Sequence, residues 1–403
     1  DPSLLAFRYR LKNAAFDVAE EPFEAAGRKF NRGSFIVKNA SEADVKAAAS
    51  ELGIAPYALA SAPSVKTHPS KVARIGYIHT WIATQDEGWW RMEFDRLKIP
   101  YDYISTQVIA KEANLNARWD VLIFPPVGRG AQQIVSGMPM WRNPLPWKTT
   151  PLTPNIGKIA ATDDMRPGLG WGGLVNLENF VRNGGVLITA DDTTVFASTF
   201  GLTPGLSVQA PTRLRAPGTV MRAKIVDGTS PIAYGYGEGL SIYSAPGLVF
   251  GVSNTLGGRG GRPGGEMGSQ RATGRGTADD PDTVQGRPPD TVPEEPKVEP
   301  WQAGPVTDEQ LRNPLGVIPP AQRPRVVLRY GDARDLLVSG LLENGNEIAQ
   351  RPAVVDVPLD KGHVVVFANN PMWRGQTHGT YGFVFNTILN FDQLNAGRKL
   401  DDK

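Results

Sequence analysis

Gly362-His-Val-Val-Val-Phe-Ala-Asn-Asn-Pro-Met-Trp-Arg-Gly-Gln-Thr-His-Gly-Thr-Tyr-Gly-Phe-Val-Phe-Asn386 is the stretch on which the fold turns. Val364 to Ala368 is an unbroken apolar run, the mark of a strand covered on both faces. A polar loop follows, then an apolar helix from Tyr381 to Asn390. The loop gathers Asn369, Asn370, Trp373, Arg374, Gln376, Thr377 and His378 at the end of a hydrophobic strand. In open α/β sheets that is where ligands sit.

Working outward, Ala353 to Val357 reads as a neighbouring strand, joined by the turn Leu359-Asp-Lys-Gly362, and Arg325 to Tyr330 as another. From Val72 the chain alternates between strand and helix patterns. Strands are expected at Val72–His79, Tyr101–Ser105, Trp119–Phe124 and Val186–Ala190. Helices are expected at Asp86–Leu97, Leu174–Asn183 and Thr193–Phe200. Such alternation predicts a mostly parallel sheet with helices on both faces. Short β segments, Val220–Val226 and Leu240–Tyr243, follow.

Residues 1–66 read as a small α+β piece, with strand character in Leu4–Leu11 and Ser34–Val37. Ser41 to Asp44 resembles a capping box before a helix that stops at Gly53. Residues 127–172 form an insertion rich in Pro, Gly and Trp. Trp141, Trp147 and Trp171 predict that it packs as a lid or interface. Residues 253–324 are Gly/Arg-rich and then Pro/acid-rich, too poor in apolar side chains for a core. An extended insertion with few regular elements is expected there. The expected domain plan is therefore 1–66, a sheet domain of 72–252 with 325–397, and the insertion 253–324.

The chain has 403 residues, 40% apolar and 21% charged, with a formal net charge of +2. This is an ordinary globular balance that points to neither nucleic acid nor membrane. It contains no cysteine, so disulfides, thiolate metal sites and Cys nucleophiles are excluded. Its four histidines include no H-x-x-E or H-E-x-x-H pair, and no metal site is expected in this chain.

Residues 72–252 with 325–392 resemble a class I glutamine amidotransferase-like domain, which implies a flavodoxin-like sheet. The whole chain resembles the C-terminal half of large bacterial zinc carboxypeptidases of the M14 family. The segments that carry this are Gly27–Val37, Glu87-Gly-Trp-Trp-Arg91, Asp120–Pro126, Ser339-Gly-Leu-Leu342 and Arg374–Thr380. Amidotransferases place a Cys on a strand-to-helix elbow; the corresponding turn here is Thr189-Ala190-Asp191-Asp192, without a thiol. The resemblance implies zinc and the peptidase residues in a domain upstream of Asp1, and a secreted or periplasmic location.

Three groups of candidate site residues follow. Asp191 and Asp192 stand where the nucleophile would be; a carboxylate pair can do acid/base work or cap the following helix. Arg374, Gln376, Thr377 and His378 can grip a carboxylate or a sugar hydroxyl, or knit the loop to the sheet. His79, Trp81, Glu87 and Arg91 follow the first strand on the same sheet edge, with Glu87 and Arg91 at i, i+4 spacing. The leading expectation is a non-catalytic binding or scaffold region, a pseudoenzyme packed on an upstream peptidase domain or on copies of itself, with peptide or carbohydrate as ligand. The alternatives are a hydrolytic or sugar-processing enzyme using Asp191, Asp192 and His378, and a self-assembling structural protein.

Overall fold

A computed structural model describes residues 2–245, 247–256, 297–312 and 316–400. Ten strands make one sheet: β1 (Ile75–His79), β2 (Asp102–Ser105), β3 (Val121–Phe124), β4 (Val186–Ala190), β5 (Thr219–Ile225), β6 (Gly239–Ser244), β7 (Arg325–Tyr330), β8 (Leu337–Ser339), β9 (Pro352–Leu359) and β10 (Gly362–Phe367). Their order is β6-β5-β7-β9-β10-β4-β3-β1-β2, with β8 beside β5.

β10, β4, β3, β1 and β2 run parallel. Numbered along the chain, these five stand in the order 2-1-3-4-5, the flavodoxin-like winding. The other half is antiparallel, added through the β9–β10 hairpin. The α/β, flavodoxin-like fold expected from the sequence is therefore present, with an antiparallel wing. β3, β4, β9 and β10 are buried at every position, which is why they read as mostly apolar runs, broken only by Thr189, Asp356 and His363. Gly76 lets β1 close on its neighbours: a Cβ there would lie 2.5 Å from Leu122 Cδ2.

The helices are α1 (Gln85–Leu97), α2 (Thr106–Lys111), α3 (Ala131–Ser136), α4 (Gly170–Arg182), α5 (Asp192–Thr199) and α6 (His378–Leu389). α1 buries Trp90, Phe94 and Leu97 on one face. Burying each of these side chains stabilises the fold by about 1.5–3 kcal/mol. Phe94 meets Phe385 edge-on, so α1 and α6 cover the same face of the sheet. α6 is buried along nearly its whole length, as its apolar sequence requires.

Two expectations change. Leu4–Leu11 is not a strand: Ser3–Arg10 is a helix. Its Leu5 and Ala6 join the main core while Phe7 and Leu11 join a smaller one, so apolar residues on two faces imitate a strand. Within this chain the tryptophans of the 127–172 insertion do not pack it down as a lid. Trp141, Trp147 and Trp171 are 61%, 39% and 65% exposed. Arg166 organises part of the insertion instead, paired with Asp164 and donating to the carbonyls of Met140, Trp141 and Arg142. In the insertion 253–324, residues 257–296 and 313–315 lie outside the described residues. The described part buries Trp301, whose Nε1 donates to Val252 O, and includes a short helix, Asp308–Leu311.

The N-terminal piece contains a three-stranded sheet of Ala15–Ala19, Phe35–Lys38 and Thr67–Pro69. Its second helix, Glu42–Leu52, starts where Ser41 accepts the Asp44 N–H and ends at Gly53, φ 69°.

Candidate functional site

Parallel strands β1, β3, β4 and β10 all end at one edge, and the loops that leave them carry every candidate group. The sharpest geometry is at β4. Asp191 follows Ala190 with φ 51° and ψ −121°, then α5 begins at once. A non-glycine residue held there costs of order 1–3 kcal/mol. The turn is over-determined by its neighbours. Thr193 Oγ1 accepts the Ala190 N–H and donates to Phe124 O, and Thr194 Oγ1 contacts Thr189 Oγ1 at 3.0 Å.

The two aspartates have different tasks. Asp192 accepts the backbone N–H of Val127 at 3.0 Å and of Arg129 at 2.7 Å, so it holds the loop after β3. This differs from a cap on its own helix. Burial raises its pKa, against the pull of those amides. Asp191 makes no side-chain cap bond. Burial, then the charges of Asp192 and Asp86, push its carboxyl up to about 7. Asp86, in the first turn of α1, is raised by burial and by Asp192, while Arg374 draws it down. Sequence reasoning placed the Asp86–Arg91 turn at the same sheet edge as the elbow, but did not single out Asp86 as a site residue.

The β10 loop folds over the start of α1. Trp373 meets Trp89 edge-on at 4.6 Å and stacks on Tyr243 at 5.5 Å. The Arg374 guanidinium lies 4.8 Å from the Trp373 ring and 5.4 Å from Trp89. Such cation–π contacts are worth about 0.5–1 kcal/mol at exposed sites. Thr377 Oγ1 donates to Pro371 O and accepts from Trp373 N, so it knits the loop. Gln376 and His378 are exposed; the His378 ring rests on Tyr381, 5.0 Å away. Asn370 is buried, its Oδ1 accepting from Trp90 Nε1 at 2.8 Å and from Met372 N. Its Nδ2 has no partner among the described residues.

A second cluster forms at the end of β1. His79 is sealed between Tyr103, stacked at 4.1 Å, and Trp81, edge-on at 4.8 Å. Burial lowers its pKa to about 4. Glu87 is 2% exposed, accepts from Tyr103 Oη at 2.6 Å and lies 3.9 Å from Arg91. Burial raises its pKa to about 7. Arg91 rests over Tyr103 and donates to Tyr101 Oη. Tyr103, missed in sequence, ties this cluster together; its only local sign is a place on β2.

The candidate residues thus separate. Asp191, Asp192 and Arg374 gather with Asp86, whereas His79, Trp81, Glu87 and Arg91 form their own buried group. No hydrogen bond, ion pair or ring contact joins His378 to Asp191 among the described residues. No cluster of three or more His, Asp or Glu with metal-holding geometry occurs among them either, and no helix is long and apolar enough to cross a membrane.

Fold and elbow together define a class: an α/β domain with a flavodoxin-like sheet. No protein family matches the sequence, and no curated protein matches it. Solved structures resemble it at low identity. A β-galactosidase from Bacillus circulans sp. alkalophilus is 12% identical over 82% of this chain, TM-score 0.36, and the match spans 32% of that enzyme's length. A GMP synthase-type protein from Thermoplasma acidophilum is 7% identical, covering 79% of this chain and 94% of its own, TM-score 0.37. A ThuA-like protein from Bacteroides uniformis is 9% identical, covering 78% and 88%, TM-score 0.33.

Proposed function

We propose that this chain is a non-catalytic binding and scaffold domain, the amidotransferase-like portion of an M14-type zinc carboxypeptidase. The observation that carries the first half is Asp191. The strained elbow is kept, yet its side chain is a carboxyl of pKa about 7, and among the described residues no imidazole is hydrogen-bonded to it. Nucleophilic catalysis needs a reactive group and a base in contact. His79 is sealed among aromatic rings, His378 faces solvent, and Asp192 is engaged by backbone amides.

The second half draws on the motifs Glu87–Arg91, Asp120–Pro126 and Arg374–Thr380. On this reading zinc belongs to an upstream peptidase domain, which with further copies of the chain is the natural partner. A secreted or periplasmic location goes with that parentage.

The enzyme alternative keeps one point: a carboxyl of pKa about 7 suits a general acid. The test is to assay the purified chain, with zinc added, for release of C-terminal residues from peptides. No release is expected, and robust turnover overturns the proposal. An H-x-x-E motif encoded upstream of Asp1 would support the parentage; a different upstream domain would remove it.

A further inference from the structure

An open cleft of about 460 Å³ lies beside β2, the edge strand of the parallel half, rather than at the elbow. Arg91, Asp95 and Lys98 line it from α1 and its end, Tyr101 and Tyr103 from the β2 side, and Ile159 from the 127–172 insertion. Arg91 is held in place but left unfilled. Its Nε donates to Tyr101 Oη at 3.1 Å, and its guanidinium rests 4.1 Å from the Tyr103 ring centre. Its other N–H groups make no hydrogen bond among the described residues. The Glu87 carboxylate comes only to 3.9 Å, and its Oε1 already accepts from Tyr103. With 18% of its side chain exposed, this guanidinium has little water to turn to. Asp95 is one turn further along the same helix face. It accepts from the same Tyr101 hydroxyl at 2.8 Å and is otherwise exposed. Lys98 is drawn aside, its Nζ facing Glu51 at 4.0 Å.

The cleft thus presents one cation and one anion, joined by a single hydroxyl, between tyrosine rings and Ile159, which is 69% exposed. A plain anion would meet Asp95, and a plain cation would meet Arg91. A zwitterion satisfies both, its carboxylate on the guanidinium fork and its ammonium on the aspartate. The exposed isoleucine gives an apolar body something to cover. The volume falls within the roughly 300–1,000 Å³ of small-molecule sites. We propose that this cleft binds a free α-amino acid with an apolar side chain, carboxylate on Arg91, ammonium on Asp95 and side chain against Ile159. This rests on the binding-domain reading and gives it a ligand class.

The experiment titrates the full chain with L-leucine and L-phenylalanine, followed by calorimetry and saturation-transfer NMR. Each is compared with the analogue that lacks its ammonium, isocaproate or hydrocinnamate, and the one that lacks its carboxylate, isoamylamine or phenethylamine. At least one amino acid is expected to bind, and its singly charged analogues about tenfold more weakly, the loss of one hydrogen bond between charged groups. Arg91→Gln and Asp95→Asn are each expected to weaken it about tenfold as well, for the same reason. Ile159→Ser is expected to weaken it about fourfold, roughly one methylene of burial. Asp95 and Ile159 are exposed, so their variants test the site even if Arg91→Gln disturbs folding, which a melting curve reads. Absence of binding by both amino acids, a singly charged analogue that binds as tightly, or binding that Asp95→Asn and Ile159→Ser leave unchanged overturns the proposal. Conversion of a bound amino acid into a new compound would overturn the non-catalytic reading while leaving the amino-acid site standing.

Discussion

The carboxylate of Asp192 accepts the backbone N–H of Arg129 at 2.7 Å, stapling the loop after β3 to the first turn of α5. It accepts the Val127 N–H as well. These are charge-assisted bonds inside a partly buried turn, stronger than neutral ones. Asp192→Ala leaves two amides without an acceptor and is expected to destabilise the fold by about 2–3 kcal/mol. Chemical denaturation measures the loss. Hydrogen exchange should show faster opening of residues 127–130 than of β3.

Asp191 predicts the opposite sign. Its backbone, φ 51° and ψ −121°, is one that glycine adopts freely, and its carboxyl makes no cap bond. Asp191→Gly removes both the strain and a desolvated carboxyl. The unfolded chain gains freedom in exchange, a cost of under about 1 kcal/mol. A net gain of about 1 kcal/mol is expected, within the 1–3 kcal/mol such backbones store. A lower melting temperature in this variant would mean that Asp191 supports the fold.

The parallel half of the sheet was legible because β3, β4 and β10 are buried on both faces, and such strands print as Val/Ile/Leu runs. Ser41 and Gly53 marked a helix through cap chemistry that acts within four residues. The site was legible as an edge, since strand ends are visible in sequence, but not as a set of contacts. Tyr103 reaches Glu87 across 16 residues, and Trp90 reaches Asn370 across 280. No local pattern encodes pairs of that kind. The lid expected of the Trp-rich insertion misled for a related reason. Aromatic content says that a ring seeks cover, whereas Trp171 is 65% exposed within this chain.

Glu87 makes stability depend on pH. Its pKa is raised from 4.5 to about 7, chiefly by burial, so the folded state holds a proton that the unfolded state releases. That contribution is complete below pH 4.5 and is lost as pH rises through about 7. His79 acts oppositely: its pKa falls from 6.5 to about 4, and its contribution is lost as pH drops through that range. Comparing wild type with Glu87→Gln cancels the histidine. Gln still accepts the Tyr103 hydroxyl but does not ionise. Between pH 4.5 and 7 the variant should gain on wild type by on the order of 2 kcal/mol. Urea titrations at the two ends of that range read the difference, and a constant offset between the proteins would contradict the assignment.

Arg398 predicts how the C-terminal segment is held. Asp356 on β9 is fully buried, and it accepts from Arg398 Nη2 at 2.9 Å and pairs with His363 Nδ1 at 2.7 Å. Burial works to raise its pKa, but His363, Arg398 and Arg325 prevail and keep it below the usual carboxylate range. Arg398 also donates to Arg323 O, so one side chain ties the C-terminal segment to β9 and to the approach to β7. Arg398→Met removes a partner from a buried charge, which costs about 3–5 kcal/mol when the charge is left alone. His363 remains, so about 3 kcal/mol is expected, at the low end of that range. Adding Asp356→Asn to Arg398→Met removes the stranded charge and should restore part of the loss. A double-mutant cycle by thermal denaturation measures that coupling, and two additive losses would show that Arg398 acts through packing alone.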